Sequence, residues 1–159
     1  MDVLQVIKEE HESIRGLLDQ AEKNSSIAAQ KQIISELLEK AQHHLQLEGD
    51  YLYPEIAGLF NEAPNFIKNW SDNHKNIKKK IKDIEKMLQT KTDSNTIKKK
   101  IAPLATDLAS HLRDEESLLM PKLRQLISTQ DREDLGQVFL DYRDTVASQS
   151  SPKAKRLRS

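Results

Sequence analysis

At 159 residues the chain suits one domain with a real core. It has no cysteine, which excludes a disulfide framework, a thiolate metal site and a thiol nucleophile; any metal must be held by nitrogen and oxygen. The 25 basic and 25 acidic residues cancel, which argues against the net basic domain that a nucleic-acid footprint normally shows.

Only four glycines and five prolines interrupt a sequence rich in straight-chain helix formers, so the composition reads as all-α. Asp2 is placed to cap a first helix through Leu4, Ile7, Ile14, Leu18 and Ala21, with His11 on the same helical beat. This start lacks the basic and apolar pattern of a secretion signal, and no stretch approaches the ~20 apolar residues of a membrane span. The expectation is a cytoplasmic protein without a membrane partner.

Asn24-Ser25-Ser26 breaks the pattern. A second helix keeps time through Ile34, Leu37, Ala41, His44, Glu48, Leu52, Ile56 and Leu59, where Pro54 predicts a kink. The third reads Ile67, Trp70, His74, Ile77, Ile81, Ile84 and Leu88. The fourth reads Ile97, Ile101, Leu104, Leu108, His111, Glu115, Leu119, Leu123 and Leu126, its straight portion expected to begin at Pro103. The domain reading is a bundle over residues 1–130, an added short helix over 131–147, and a disordered basic tail over 148–159.

Charge is uneven: residues 1–63 carry five Lys/Arg against twelve Asp/Glu, and residues 64–101 carry eleven against four. Complementary packing and solvated helix faces account for this, and the runs Lys78-Lys79-Lys80 and Lys98-Lys99-Lys100 read as wet faces.

The informative feature is where polar residues fall. His11, His44, Glu48, His74, His111 and Glu115 take positions that the apolar period assigns to the buried seam. Burying six such groups unpartnered costs several kcal/mol each on polar-burial scales. In His44-Leu45-Gln46-Leu47-Glu48 and His111-Leu112-Arg113-Asp114-Glu115 the imidazole and carboxylate are one turn apart on one face. The frame His-x-x-x-Glu-x-x-x-Leu-x-Pro thus occurs twice, and each copy follows a helix with a single seam histidine, 33 and 37 residues upstream. The fold implied is an up-down-up-down four-helix bundle built from a duplicated helix hairpin, with two half-sites facing each other. Because His44 lies farther from the first loop than His11, that loop or the start of the second helix must absorb about a turn. A single histidine on an apolar face is usually a hydrogen-bonded core residue; the repetition is what favours a metal. Nitrogen and oxygen donors suit iron, with zinc and manganese compatible.

At these residues the sequence resembles the hemerythrin-like, HHE cation-binding family over about residues 3–127. The resemblance implies two irons, oxo- or hydroxo-bridged, with His11, His44, His74 and His111 as terminal ligands and Glu48 and Glu115 as bridging carboxylates. It also implies binding, sensing or reaction of oxygen, peroxide or nitric oxide, or the handling of iron. Oxygen-carrying hemerythrins have a second histidine one turn away on the third helix. Here the flanking positions are Trp70 and Lys78, which speaks against reversible oxygen carriage.

Glu116 is an alternative ligand, although Gly49 stands in its place in the other copy; His43 reads as solvent-exposed, and Tyr51, Tyr53 and Trp70 as packing, with a tyrosine near the metals able to donate a hydrogen bond. Three function classes fit: a di-iron sensor or iron-handling protein, a di-iron redox enzyme, and a metal-free helical interaction module. No feature identifies a protein partner.

Overall fold

The computed structural model of the chain describes residues 1–150. Asp2 caps α1 (Val3–Lys23), its carboxylate accepting the Leu4 N–H at 2.9 Å and satisfying a donor that the helix start leaves free. Asn24 and Ser26 are extended, and the chain turns back into α2 (Ile27–Leu47), which is regular from its first residue. The connection therefore absorbs the axial excess of His44 over His11. Three connecting residues can span up to roughly 10 Å, and the five extra helical residues on the α2 side amount to about 7.5 Å.

Instead of a kink at Pro54, the helix widens just ahead of it. α2 runs into a single π-turn, Glu48–Leu52, then α3 (Tyr53–Ile56), with the Tyr53 N–H reaching the Glu48 carbonyl. The wider turn moves away the preceding carbonyl that a proline ring would strike. The same device recurs after α4 (Ala63–Leu88) and α5 (Ser94–Asp114): a π-turn at Glu115–Leu119 and then α6 (Met120–Leu126), with Pro121 second in that helix. Pro103 does not mark a start, since α5 begins nine residues earlier, where Asp93 accepts the Thr96 N–H at 2.7 Å.

α1 packs on α2, α2 on α4, α4 on α5 and α5 on α1, closing an all-α up-down-up-down bundle. α7 (Thr129–Ser150) lies across α1 and α2. Phe139 is fully buried beneath it, Arg132 pairs with Asp2 at 2.8 Å, and Gly136 lies against the backbone of Met1 and Val3. α7 extends three residues into the segment read as a tail; the rest of that segment, residues 151–159, lies outside the described residues. No helix among the described residues is long and apolar enough to cross a membrane.

The apolar interior forms two clusters. One, nearer the α1–α2 and α4–α5 connections, includes Leu18, Leu37, Ile81 and Leu104. The other, at the opposite end, includes Ile7, Leu52, Trp70, Leu123 and Phe139. Each buried Leu or Ile contributes roughly 1.5–3 kcal/mol, so apolar packing holds the helices both above and below the level at which the seam turns polar.

Candidate metal centre

That polar level holds all six predicted residues. His11, His44, Glu48, His74, His111 and Glu115 are buried, none more than 5 % exposed. The one-turn spacing places His44 Nε2 2.8 Å from Glu48 Oε1, and His111 Nε2 2.5 Å from Glu115 Oε1. The carboxylates then cross over. Glu115, from the second hairpin, joins His11 and His44; Glu48, from the first, joins His74 and His111; within each trio the donor atoms lie within 4.8 Å of one another. His11 Nε2 and His44 Nε2 are 3.2 Å apart, and His74 Nε2 and His111 Nε2 are 3.1 Å apart. Both oxygens of Glu115 are buried without a hydrogen-bond donor among the described residues. Lone pairs gathered face to face in a dry interior are the arrangement a cation stabilises.

A family model for the hemerythrin HHE cation-binding domain matches residues 2–123. The chain belongs to this family. No curated protein and no solved structure matches it. The match ends before α7.

Burial and neighbouring charges shift the two imidazoles of each pair in opposite directions. Burial, the largest influence on His44, opposes its charge, but the Glu48 carboxylate and the hydrogen bond to Glu10 outweigh it and hold the imidazole well above its ordinary value. Burial and the neighbouring His44 charge push His11 down. In the second pair burial again opposes the charge, yet Glu115 and Glu48 push His111 up to about 10. Burial and the His111 charge push His74 down to about 3. Burial also disfavours the Glu48 anion, but the His44 charge and the contacts with His111 and His44 keep it well below the usual carboxylate range.

The far ring nitrogens of the first pair are engaged by two carboxylates, Glu10, which spacing did not identify, and Glu116. His44 Nδ1 bonds Glu10 Oε1 at 2.9 Å. His11 Nδ1 bonds Glu116 Oε1 at 3.1 Å, and Arg15 grips both Glu116 oxygens at 2.8 and 2.7 Å. Hydrogen bonding to Arg15 holds Glu116 down to about 2. Glu116, read as an alternative ligand, is thereby turned to the outer side of His11. Arg15 lies one turn beyond His11 on α1, which is the only sequence signal that pointed to it.

Tyr53 is more than packing. It is buried, and its hydroxyl lies 2.9 Å from His74 Nε2 and 3.4 Å from Glu48 Oε2. Burial and the charges of Glu48 and Glu115 push this phenol far up, so it stays neutral. The π-turn puts it there: Tyr53 is five residues after Glu48, a spacing that an ordinary helix would swing well off the Glu48 face. Trp70 stacks on Tyr53 at 5.9 Å between centroids, while Lys78 is exposed. Tyr51 is 38 % exposed and meets Tyr142 edge-on. His43, expected in solvent, is half-buried in the wall of a 430 Å³ cavity that α7 roofs, shared with Glu10, His44, Arg143 and Val146.

Proposed function

We propose that the chain is a non-haem di-iron protein that binds, senses or reacts with oxygen, peroxide or nitric oxide, or handles iron. The observation that carries this reading is the crossing of the carboxylates, which sets Glu48 and Glu115 each within reach of both histidine pairs. His11 and His44 would hold one ion and His74 and His111 the other, with Glu48 and Glu115 shared between them. The donors are all imidazole nitrogen and carboxylate oxygen, a set that suits iron and is compatible with zinc or manganese. Bound there, iron would supply one- and two-electron redox chemistry toward small oxygen- or nitrogen-containing ligands.

The protein's own residues shape what such a centre could do. Two carboxylates offset most of the charge of a cation pair, and the apolar clusters on both sides exclude water from the polar level. The Tyr53 hydroxyl is placed to donate a hydrogen bond to a small ligand at the His74 side. With Lys78 turned to solvent and Trp70 packed on Tyr53, the third helix offers His74 alone. That leaves room for exchangeable ligands, which favours reactive or sensory chemistry over oxygen carriage.

Elemental analysis of anaerobically purified protein is expected to give two irons per chain, with near-ultraviolet charge-transfer absorption of a coupled diferric pair after oxidation. A colourless, metal-free protein whose melting temperature does not respond to Fe(II) would overturn the reading and leave a helical interaction module.

A further inference from the structure

The two hairpins repeat the ligand spacing but not what stands behind the ligands. His11 and His74 are equivalent, as are the two His-x-x-x-Glu frames, so the supporting residues can be compared position by position. Glu10, which bonds His44, corresponds to Asn73, which is exposed. Glu116, which bonds His11, corresponds to Gly49, which has no side chain to offer His74. Arg15, which clamps Glu116, corresponds to the exposed Lys78. The consequence is visible at His111, whose Nδ1 is buried without a partner among the described residues. At His74 the Nε2 atom lies 2.9 Å from the Tyr53 hydroxyl, a contact that an incoming cation must displace.

A carboxylate on the outer nitrogen of a ligating imidazole fixes its tautomer and orientation and raises its basicity; losing one such partner typically costs about 10–100-fold in metal affinity. Resting on the two-metal reading above, we infer that the half-sites are unequal. Glu10 and the Glu116–Arg15 pair are positioning residues that make His11 and His44 the retentive metal position, and the ion at His74 and His111 is the exchangeable one.

The test uses the full chain, metal-free and without oxygen, titrated with Co(II) against a competing chelator and followed by visible absorption and metal analysis. Two steps are expected, separated by at least about tenfold. His74→Ala should remove the weak step and His11→Ala the tight one. Glu10→Gln and Glu116→Gln should each weaken the tight step about tenfold and leave the weak step unmoved. Arg15→Met, at a partly exposed residue, should act in the same direction with a smaller effect. In the Co(II) protein, slowly exchanging, paramagnetically shifted imidazole N–H resonances should come from His11 and His44, and each Gln variant should alter its own; a merely structural role would not do this. Circular dichroism of the metal-free variants checks that each is folded. A single step for two equivalent ions, or Gln variants that weaken the step removed by His74→Ala, overturns the inference while the two-metal reading stands. Binding of fewer than two Co(II) by the wild-type chain defeats that reading itself.

Discussion

The His11–His44 pair and the His74–His111 pair sit at one level of the same bundle, on helices with the same ligand spacing, and hold their Nε2 atoms at nearly the same separation. They differ in what lies behind the rings. Carboxylates meet both outer nitrogens of the first pair, and α7 roofs the cavity beside it. The second pair has a buried outer nitrogen without a partner among the described residues, and a phenol at its inner face. A repeated motif thus fixes where donors point, while residues outside the motif set how firmly each half would grip. The difference comes from a few positions, since Glu10 against Asn73 and Glu116 against Gly49 account for both outer carboxylates.

The most drastic way to break the comparison is to remove what the halves share. On the two-metal reading, Glu48→Ala combined with Glu115→Ala should take metal content from two ions per chain to none, because each carboxylate lies within reach of both histidine pairs. The helices should persist. Ile14, Leu45 and Leu108 on one side, and Ile7, Leu52 and Leu123 on the other, remain buried without the acids. Far-UV circular dichroism near that of the wild type, together with metal analysis, checks both halves of this expectation; retention of two ions would mean that other groups bridge.

A smaller disturbance should separate the halves. A Cβ at Gly136 would collide with the Met1 carbonyl and the Val3 amide, which are backbone atoms and cannot swing aside. Gly136→Ala should therefore lift α7 and cost about 1–3 kcal/mol of stability, read as a lower melting temperature. Arg143 and Val146 line the cavity beside Glu10 and His44. Chelator should then extract the His11–His44 ion faster, with the rate at His74–His111 unchanged. Equal acceleration at both would mean that the bundle itself has loosened.

The fold and the gathering of the six seam residues were legible in the sequence because both depend on local spacing. A helix converts a one-turn interval into a shared face, so His44 with Glu48 and His111 with Glu115 could be placed together without knowing the bundle. Glu10, Arg15 and Glu116 were not legible in the same way. Their partnerships cross from one helix to another and depend on the rotation of α1 against α2 and α5, which no single-helix period records. The π-turns were hidden for a different reason. Pro54 and Pro121 announce a disturbed helix, but not whether it bends or takes in an extra residue. The Tyr53 N–H, which reaches back five residues to the Glu48 carbonyl, marks the slip in register. Pro103 misleads because it is exposed on an unbroken α5.

The finest test concerns a single oxygen. Tyr53→Phe keeps the ring against Trp70 and deletes only the hydroxyl facing His74 Nε2. A hydrogen bond contributes about 1 kcal/mol net, so a cation that no longer has to displace it should bind the His74–His111 half roughly fivefold more tightly, narrowing the gap between the two Co(II) steps from the weak side. Tyr51→Phe is the matched control: partly exposed and edge-on to Tyr142, it should leave both steps where they are. The sign for Tyr53 is diagnostic. If its loss weakens the second step, the phenol gives more to the bound ion than it takes from the empty site. The disparity between the halves would then arise entirely from the carboxylates behind His11 and His44, and Tyr53 would partly offset it.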